Sequence, residues 1–228
     1  MNELNEKVSR FPVPVRMRSR PVSSKGYPVP WFVEHKDENG EWDFRVVHRK
    51  RYVEAHNKSL CWVCGQPLGR FRTFVIGPMC AVNRVTSEPP THRECAEWSV
   101  QVCPFLSAPR MRRNSADLPE GAGVKNAPGI MIDRNPGVSM LWHTERGCYH
   151  PMKVSNGFLF KLDEDPVDTA WFREGRPATR AEVMVSVDSG LPKLWEMVDL
   201  ENDKQLAGKE LEKQIAMARE KFFDRIAA

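Results

Sequence analysis

The chain has 228 residues, 41% of them hydrophobic, and a net charge of +4, which is enough apolar material for one large core or two small ones and too much for a disordered chain. It contains no run of about eighteen apolar residues and no short apolar stretch with a cleavage pattern after Met1, so neither a membrane span nor a secretory leader is expected and a cytoplasmic location is. The positive charge lies in the first half, where residues 1–113 carry 19 Lys and Arg against 11 Asp and Glu, and six cysteines in such a compartment point to metal or reduced thiols rather than a disulfide framework.

Residues 1–28 alternate basic residues with Pro and Ser (Arg10, Pro12, Pro14, Arg16, Arg18, Arg20, Pro21) without helical or strand periodicity, the pattern of a mobile basic arm. Trp31-Phe32-Val33-Glu34 and Phe44-Arg45-Val46-Val47 flank Asn39-Gly40, a dipeptide that favours a tight turn, so an antiparallel hairpin is expected. The basic run His48-Arg49-Lys50-Arg51 follows, and residues 51–59 predict a short helix.

Cys61, Cys64, His92 and Cys95 then spell C-x2-C-x27-H-x2-C. Two residues between thiolates let backbone amides turn toward the sulfurs, and Gly65 accepts the left-handed conformation that follows. In the second half of the pattern, Pro89 and Pro90 stop what precedes, Thr91 is a good N-cap and Glu94 completes a capping box, which predicts a helix whose first turn aims His92 and Cys95 at one point. The positive end of that helix helps keep the sulfurs deprotonated. One tetrahedral Zn2+ is the economical reading, and three thiolates with one imidazole leave no open position for water or substrate, so the ion is expected to be structural. Cys80 and Cys103 lie too far along the strand and helix to compete and are expected to be buried thiols.

Between the ligand pairs, residues 71–76 and 81–86 have strand composition and are joined by Gly77-Pro78-Met79-Cys80. Knuckle, hairpin and ligand-bearing helix follow one another in the order found in treble-clef zinc fingers, which the stretch from Leu60 to about Leu106 resembles. The chain also resembles a family of uncharacterised bacterial and phage proteins through Cys-x-x-Cys-Gly, Ile-Gly-Pro-Met-Cys and Cys-Pro-Phe-Leu, a likeness that implies no activity. Some treble-clef proteins are nucleases that place a histidine on the hairpin, and this hairpin has none. His92-Arg93-Glu94 and His143-Thr144-Glu145 match half of a deaminase signature, but no Pro-Cys-x-x-Cys follows either.

Residues 107–128 read as a loop or linker between the zinc-binding module of residues 29–106 and a second region, 129–228. There, Ile130–Asp133, Val138–Trp142, Met152–Val154 and Gly157–Leu162 look like strands, with Asn156-Gly157 a hairpin turn. A second capping box, Thr179 with Glu182, opens a helix expected to end at Gly190 and Pro192. A last helix over about 202–226 carries Leu211, Ile215, Ala218, Phe222 and Ile226 at helical spacing, a stripe suited to the chain's own sheet or to a protein partner or second copy. His143, Cys148 and His150 are candidates for a second metal site, with ordinary surface or core positions as the alternative.

The fold class expected is therefore α+β: a treble-clef-like zinc module, a small antiparallel sheet and C-terminal helices. Arg45, Arg49, Lys50, Arg51, Arg70, Arg72 and Arg84, interspersed with Trp31, Trp62, Phe71 and Phe74, have the composition of a patch that tracks phosphates and stacks bases. Asn83-Arg84 could add a base or phosphate contact, and Arg176 with Arg180 is a further arginine pair without a motif. The first functional reading is a zinc-stabilised binding protein with nucleic acid as ligand; a protein-binding adaptor and a metal-dependent phosphodiester hydrolase are the alternatives.

Overall fold

The computed structural model describes residues 2–47, 49–108, 111, 135–155 and 157–226. The linker over 109–128, apart from Met111, and the strand expected at Ile130–Asp133 lie outside them. The architecture is mixed helix and antiparallel sheet, as expected.

The N-terminal segment departs from the reading as a mobile arm. Residues Glu6–Ser9 form a short helix, α1, capped by the Asn5 side chain, and Val15–Met17 form a 3-10 turn. Val8 and Met17 are buried against Cys61, Cys64 and Trp98. These two apolar residues, one before Pro12 and one between Pro14 and Pro21, supply the contact surface that a purely basic arm would lack.

Lys36 and Trp42, and Val33 and Val47, form antiparallel bridges around a turn in which Gly40 has φ +78° and the Asp37 carboxylate accepts from the amides of Asn39 and Glu41. The expected hairpin is present as two bridges rather than as continuous strands. The next helix, α2, runs Arg49–Lys58. Its inner face places Tyr52 and Ala55 against Trp62, which Phe32 stacks at 5.0 Å between centroids.

The expected second strand of the treble-clef hairpin is not formed. After β1 (Phe71–Ile76) the chain enters α3, Pro78–Asn83, with Pro78 at its first turn, where its fixed φ suits a helix and its missing N–H is no loss. Arg84, in the left-handed region at φ +57°, ends α3, and only Val85–Thr86, β2, is extended. β1 pairs instead with β3 (Ser139–Glu145), in register Phe71 to Glu145 through Ile76 to Met140. β3 pairs in turn with β6 (Asp168–Arg173), and β6 with β7 (Arg176–Pro177), two strands the sequence did not suggest. β4 (Tyr149–Val154) and β5 (Gly157–Leu162) form the expected hairpin, and β5 carries β2 on its other edge. β1, which lies between the two ligand pairs, thus belongs to the sheet of the second region, and the division expected across residues 107–128 does not divide the sheet.

The four-stranded sheet is covered on both faces. On one, Val75, Leu141, Ala170 and Phe172 pack on Ala96 and Val100 of α4 (Arg93–Val102), which Cys103 separates from α5, Pro104–Ser107. On the other lies the main core, where Phe74, Ile76, Met140, Trp142 and Trp171 meet α3, β5 and two long helices, α6 (Arg180–Val198) and α7 (Lys204–Ala218). The capping box of α6 forms as expected, with both Thr179 and Glu182 engaged. The helix does not stop at Gly190 and Pro192. Gly190 lets Met79 of α3 approach so closely that a Cβ there would lie 2.9 Å from its side chain, and burial of Leu194 carries the helix past the proline.

Along α7 the expected stripe turns inward: Leu211, Ala218 and Phe222 are buried in the main core. The stripe is used within the chain, with Ile215 and Ile226 partly buried beside the core. A π-turn over Arg219–Phe223 adds a residue to the last turn and brings two neighbouring rings into the core, Phe222 at 4.8 Å from Trp142 and Phe223 at 5.7 Å from Trp171. Among the described residues no helix is long and apolar enough to cross a membrane.

Candidate metal centre

Cys61, Cys64, His92 and Cys95 converge, with all four ligand atoms within 4.8 Å of one another. A zinc tetrahedron with Zn–S bonds of about 2.3 Å has edges near 3.8 Å, so the set is the right size for one small ion. Local chain chemistry explains the convergence. Cys61 Sγ accepts from the amides of Cys64 at 3.5 Å and His92 at 3.4 Å, tying the knuckle to the start of α4 through one sulfur. Gly65, at φ +77°, closes the knuckle with its amide on the Cys61 carbonyl, and a Cβ there would lie 2.2 Å from the Trp31 ring.

The imidazole is oriented as a ligand. His92 Nδ1 lies 3.4 Å from Cys64 Sγ, while Nε2 lies 3.1 Å from the Pro67 carbonyl. A proton on Nε2 donated to that carbonyl leaves Nδ1 as the free donor atom, the second-sphere arrangement that fixes the tautomer of metal-bound histidines. The capping box expected from Thr91 and Glu94 is absent. The Thr91 hydroxyl donates to Thr73 and His92 carbonyls, His92 itself is the N-cap, and Glu94 pairs with Arg16 at 2.9 Å. Thr73 and Thr91 exchange two backbone hydrogen bonds, 2.8 and 2.9 Å, so β1 is fastened to the residue just before the ligand pair.

Electrostatics favour a cation at this point. Burial raises the Cys61 thiol, but hydrogen bonds from Cys64, Cys95 and His92 more than offset it and hold Cys61 well below the usual thiol range. Cys95 is pushed upward by hydrogen bonding to Cys61 and Cys64, and His92 is raised to about 10 by its contacts with the same two sulfurs. Three sulfurs this close cannot all be anionic without positive charge among them, and a divalent ion supplies it without protons. Cys61 and Cys95 are fully buried and Cys64 is 5% exposed, so the centre is closed to solvent on its sulfur side.

Sequence reasoning missed what covers the centre. Arg16 reaches from the N-terminal segment to both ligand-bearing stretches, to Glu94 and, at 3.0 Å, to Gln66. The only signal in the sequence is the pair of apolar residues Val8 and Met17 within this basic segment. Cys80 and Cys103 are not ligands: Cys80 is on α3 rather than in a hairpin turn, Cys103 lies between α4 and α5 rather than on the inner helix face, and burial pushes Cys80 up to about 11 and Cys103 upward. His143, Cys148 and His150 are not gathered. His143 Nδ1 lies 2.8 Å from the Thr73 hydroxyl, and His150 faces Asp163 at 3.2 Å on a strand of the other sheet.

Most of the seven basic candidates are engaged within the fold. Arg45 pairs with Asp43, Arg51 with Glu34 and Glu54, Arg70 with Glu145, and Arg84 with Glu164. Arg72 is 1% exposed. Arg49 and Lys50 alone are exposed and without a carboxylate partner among the described residues. Of the supposed stacking residues, Trp62 and Phe74 are buried. Asn83 accepts from the Val85 amide, Arg176 pairs with Glu182, and Arg180 pairs with Asp224, so these too are engaged within the fold.

The chain matches no family model, no curated protein and no solved structure. The likenesses to treble-clef fingers and to the bacterial and phage family therefore stay resemblances of motif.

Proposed function

We propose that this is a zinc-stabilised binding protein whose α2 surface contacts the phosphates of nucleic acid. The metal reading is carried by the closed Cys61, Cys64, His92 and Cys95 set: soft thiolates with one imidazole in four-fold arrangement are the donors zinc prefers, and four protein ligands suit a structural ion. Knuckle, β1, the Thr73–Thr91 pair and α4 support a treble-clef-like module whose hairpin is reduced to that one pair.

The ligand reading is carried by the first turn of α2. It begins Arg49-Lys50-Arg51 with no acidic residue, the reverse of what the helix dipole favours for stability. Arg49 and Lys50 share a shallow open surface with Val53, Glu54, Asn57 and Lys58; Glu54 is paired with Arg51 and Lys58, so a phosphate at the Arg49–Lys50 end would meet those two cations and the positive helix end. Affinity should fall with salt with a log–log slope of about −0.9 per phosphate contact on duplex DNA, and Arg49→Glu with Lys50→Glu should weaken binding and flatten that slope. No binding at low salt by folded, zinc-loaded protein would remove the reading.

A protein-adaptor role is the second reading, favoured by the apolar group at the α6–α7 junction, where Leu200 is 82% and Leu206 65% exposed beside half-open Trp195. The hydrolase alternative has no comparable support from the arrangement of His143 and His150.

A further inference from the structure

Period two along β1 places Arg72 on the same face as Phe74 and Ile76, opposite Thr144 in the register, on the core side of the sheet. It is 1% exposed, yet no carboxylate pairs with it among the described residues. Nη1 donates to the Gly69 carbonyl and, at 3.1 Å, to the Phe71 carbonyl, and Nε is buried without a partner. Arg84, the other largely buried arginine, has Glu164 at 2.7 Å. A guanidinium cannot shed its charge at any ordinary pH, and a buried charge with neither an ion partner nor full hydrogen bonding costs several kcal/mol.

Arg72 lines a narrow cavity between the end of α2 and the second sheet, walled by His56, Ser59, Pro90, Tyr149 and Phe160. Its interior has room for about one water-sized particle, too little for a tetrahedral oxyanion. Burial pushes the His56 pKa down, so its ring adds no second charge at neutral pH. A single water there would fill space and accept a hydrogen bond but leave the charge uncompensated. The walls join the polar edges of His56, Ser59 and Tyr149 to the apolar surfaces of Pro90 and Phe160, and a compact anion among them would supply the missing negative charge.

We propose that this cavity is a binding site for a halide-sized monovalent anion, with Arg72 as its counter-ion. The bound anion would join β1 to α2 and to the second sheet, apart from the metal centre and from the outer face of α2.

The test uses the full, zinc-loaded chain melted in sodium chloride, sodium bromide and sodium gluconate at matched ionic strength, gluconate being too large to enter. Chloride and bromide should raise Tm saturably, by about 5–10 °C once roughly a hundredfold above Kd, and gluconate should not. Arg72→Met should abolish the difference between the anions. Should that variant fail to fold, crystals of the wild-type protein soaked in bromide give the second measurement, with an anomalous peak expected beside the Arg72 guanidinium. Equal melting in all three salts, or a cavity without bromide scattering, would overturn the proposal and leave water as its occupant.

Discussion

The metal centre and the main core solve the same problem with different means. Around Cys61, Cys64 and Cys95 the apolar cluster is small and the ligands themselves form part of it, with Val8, Met17 and Trp98 as neighbours. Across the sheet, Trp142, Phe74, Phe160, Phe222 and Phe223 form a core that needs no ion. A small cluster cannot offset the conformational entropy of ordering the N-terminal segment, the knuckle and the start of α4, so that region should depend on metal where the other does not.

The largest effect that tests this contrast is loss of a ligand. Structural zinc contributes about 10 kcal/mol or more of apparent binding free energy in small fingers, so Cys95→Ser should expose the amides of the knuckle and of the first turn of α4 to hydrogen exchange while β3 and α6 stay protected. Loss of protection in every element together would erase the distinction, making the Thr73–Thr91 tie strong enough to unite the two regions. The converse substitution, Trp142→Ala, should lower stability by about 3–5 kcal/mol in thermal or denaturant unfolding yet leave bound zinc unchanged.

A finer probe lies where α3 meets α6. Gly190→Val would press on Met79 and should destabilise by about 1–3 kcal/mol, again with zinc retained. The smallest effects belong to the start of α6. Thr179→Ala removes the cap from the Glu182 amide and should cost about 1 kcal/mol. Hydrogen bonds from Arg176 and from the Thr179 amide hold Glu182 down at about 2, below the ordinary 4.5. Its contribution is therefore present above pH 4.5 and lost as pH falls through about 2, and the gap in Tm between wild type and Glu182→Gln should close over that interval.

What the sequence showed and what it hid follow from how local each signal is. The knuckle, the β4–β5 hairpin and the Thr179–Glu182 box are settled by residues within a few positions of one another, and each appears where its own chemistry puts it. The partner of β1 is decided by distant apolar residues on β3, and the strand-like run at 81–86 is instead helical as far as Asn83, in a helix that Pro78 opens. Thr91 and Glu94 spelled a capping box, but the Thr73 carbonyl and Arg16 took those side chains. The pairing of the basic residues was hidden for the same reason: charge along a sequence does not reveal which arginines will find carboxylates. Arg72 could not have been recognised as buried without knowing that Phe74 and Ile76 face the core.

Metal content of the purified chain tests the central claim most directly. Native mass spectrometry of the folded protein, wild type beside Cys64→Ser and Cys95→Ser, should show one zinc per chain in the wild type and none retained in either variant. A metal-free folded wild type, or zinc held undiminished by both variants, would contradict a structural centre at Cys61, Cys64, His92 and Cys95.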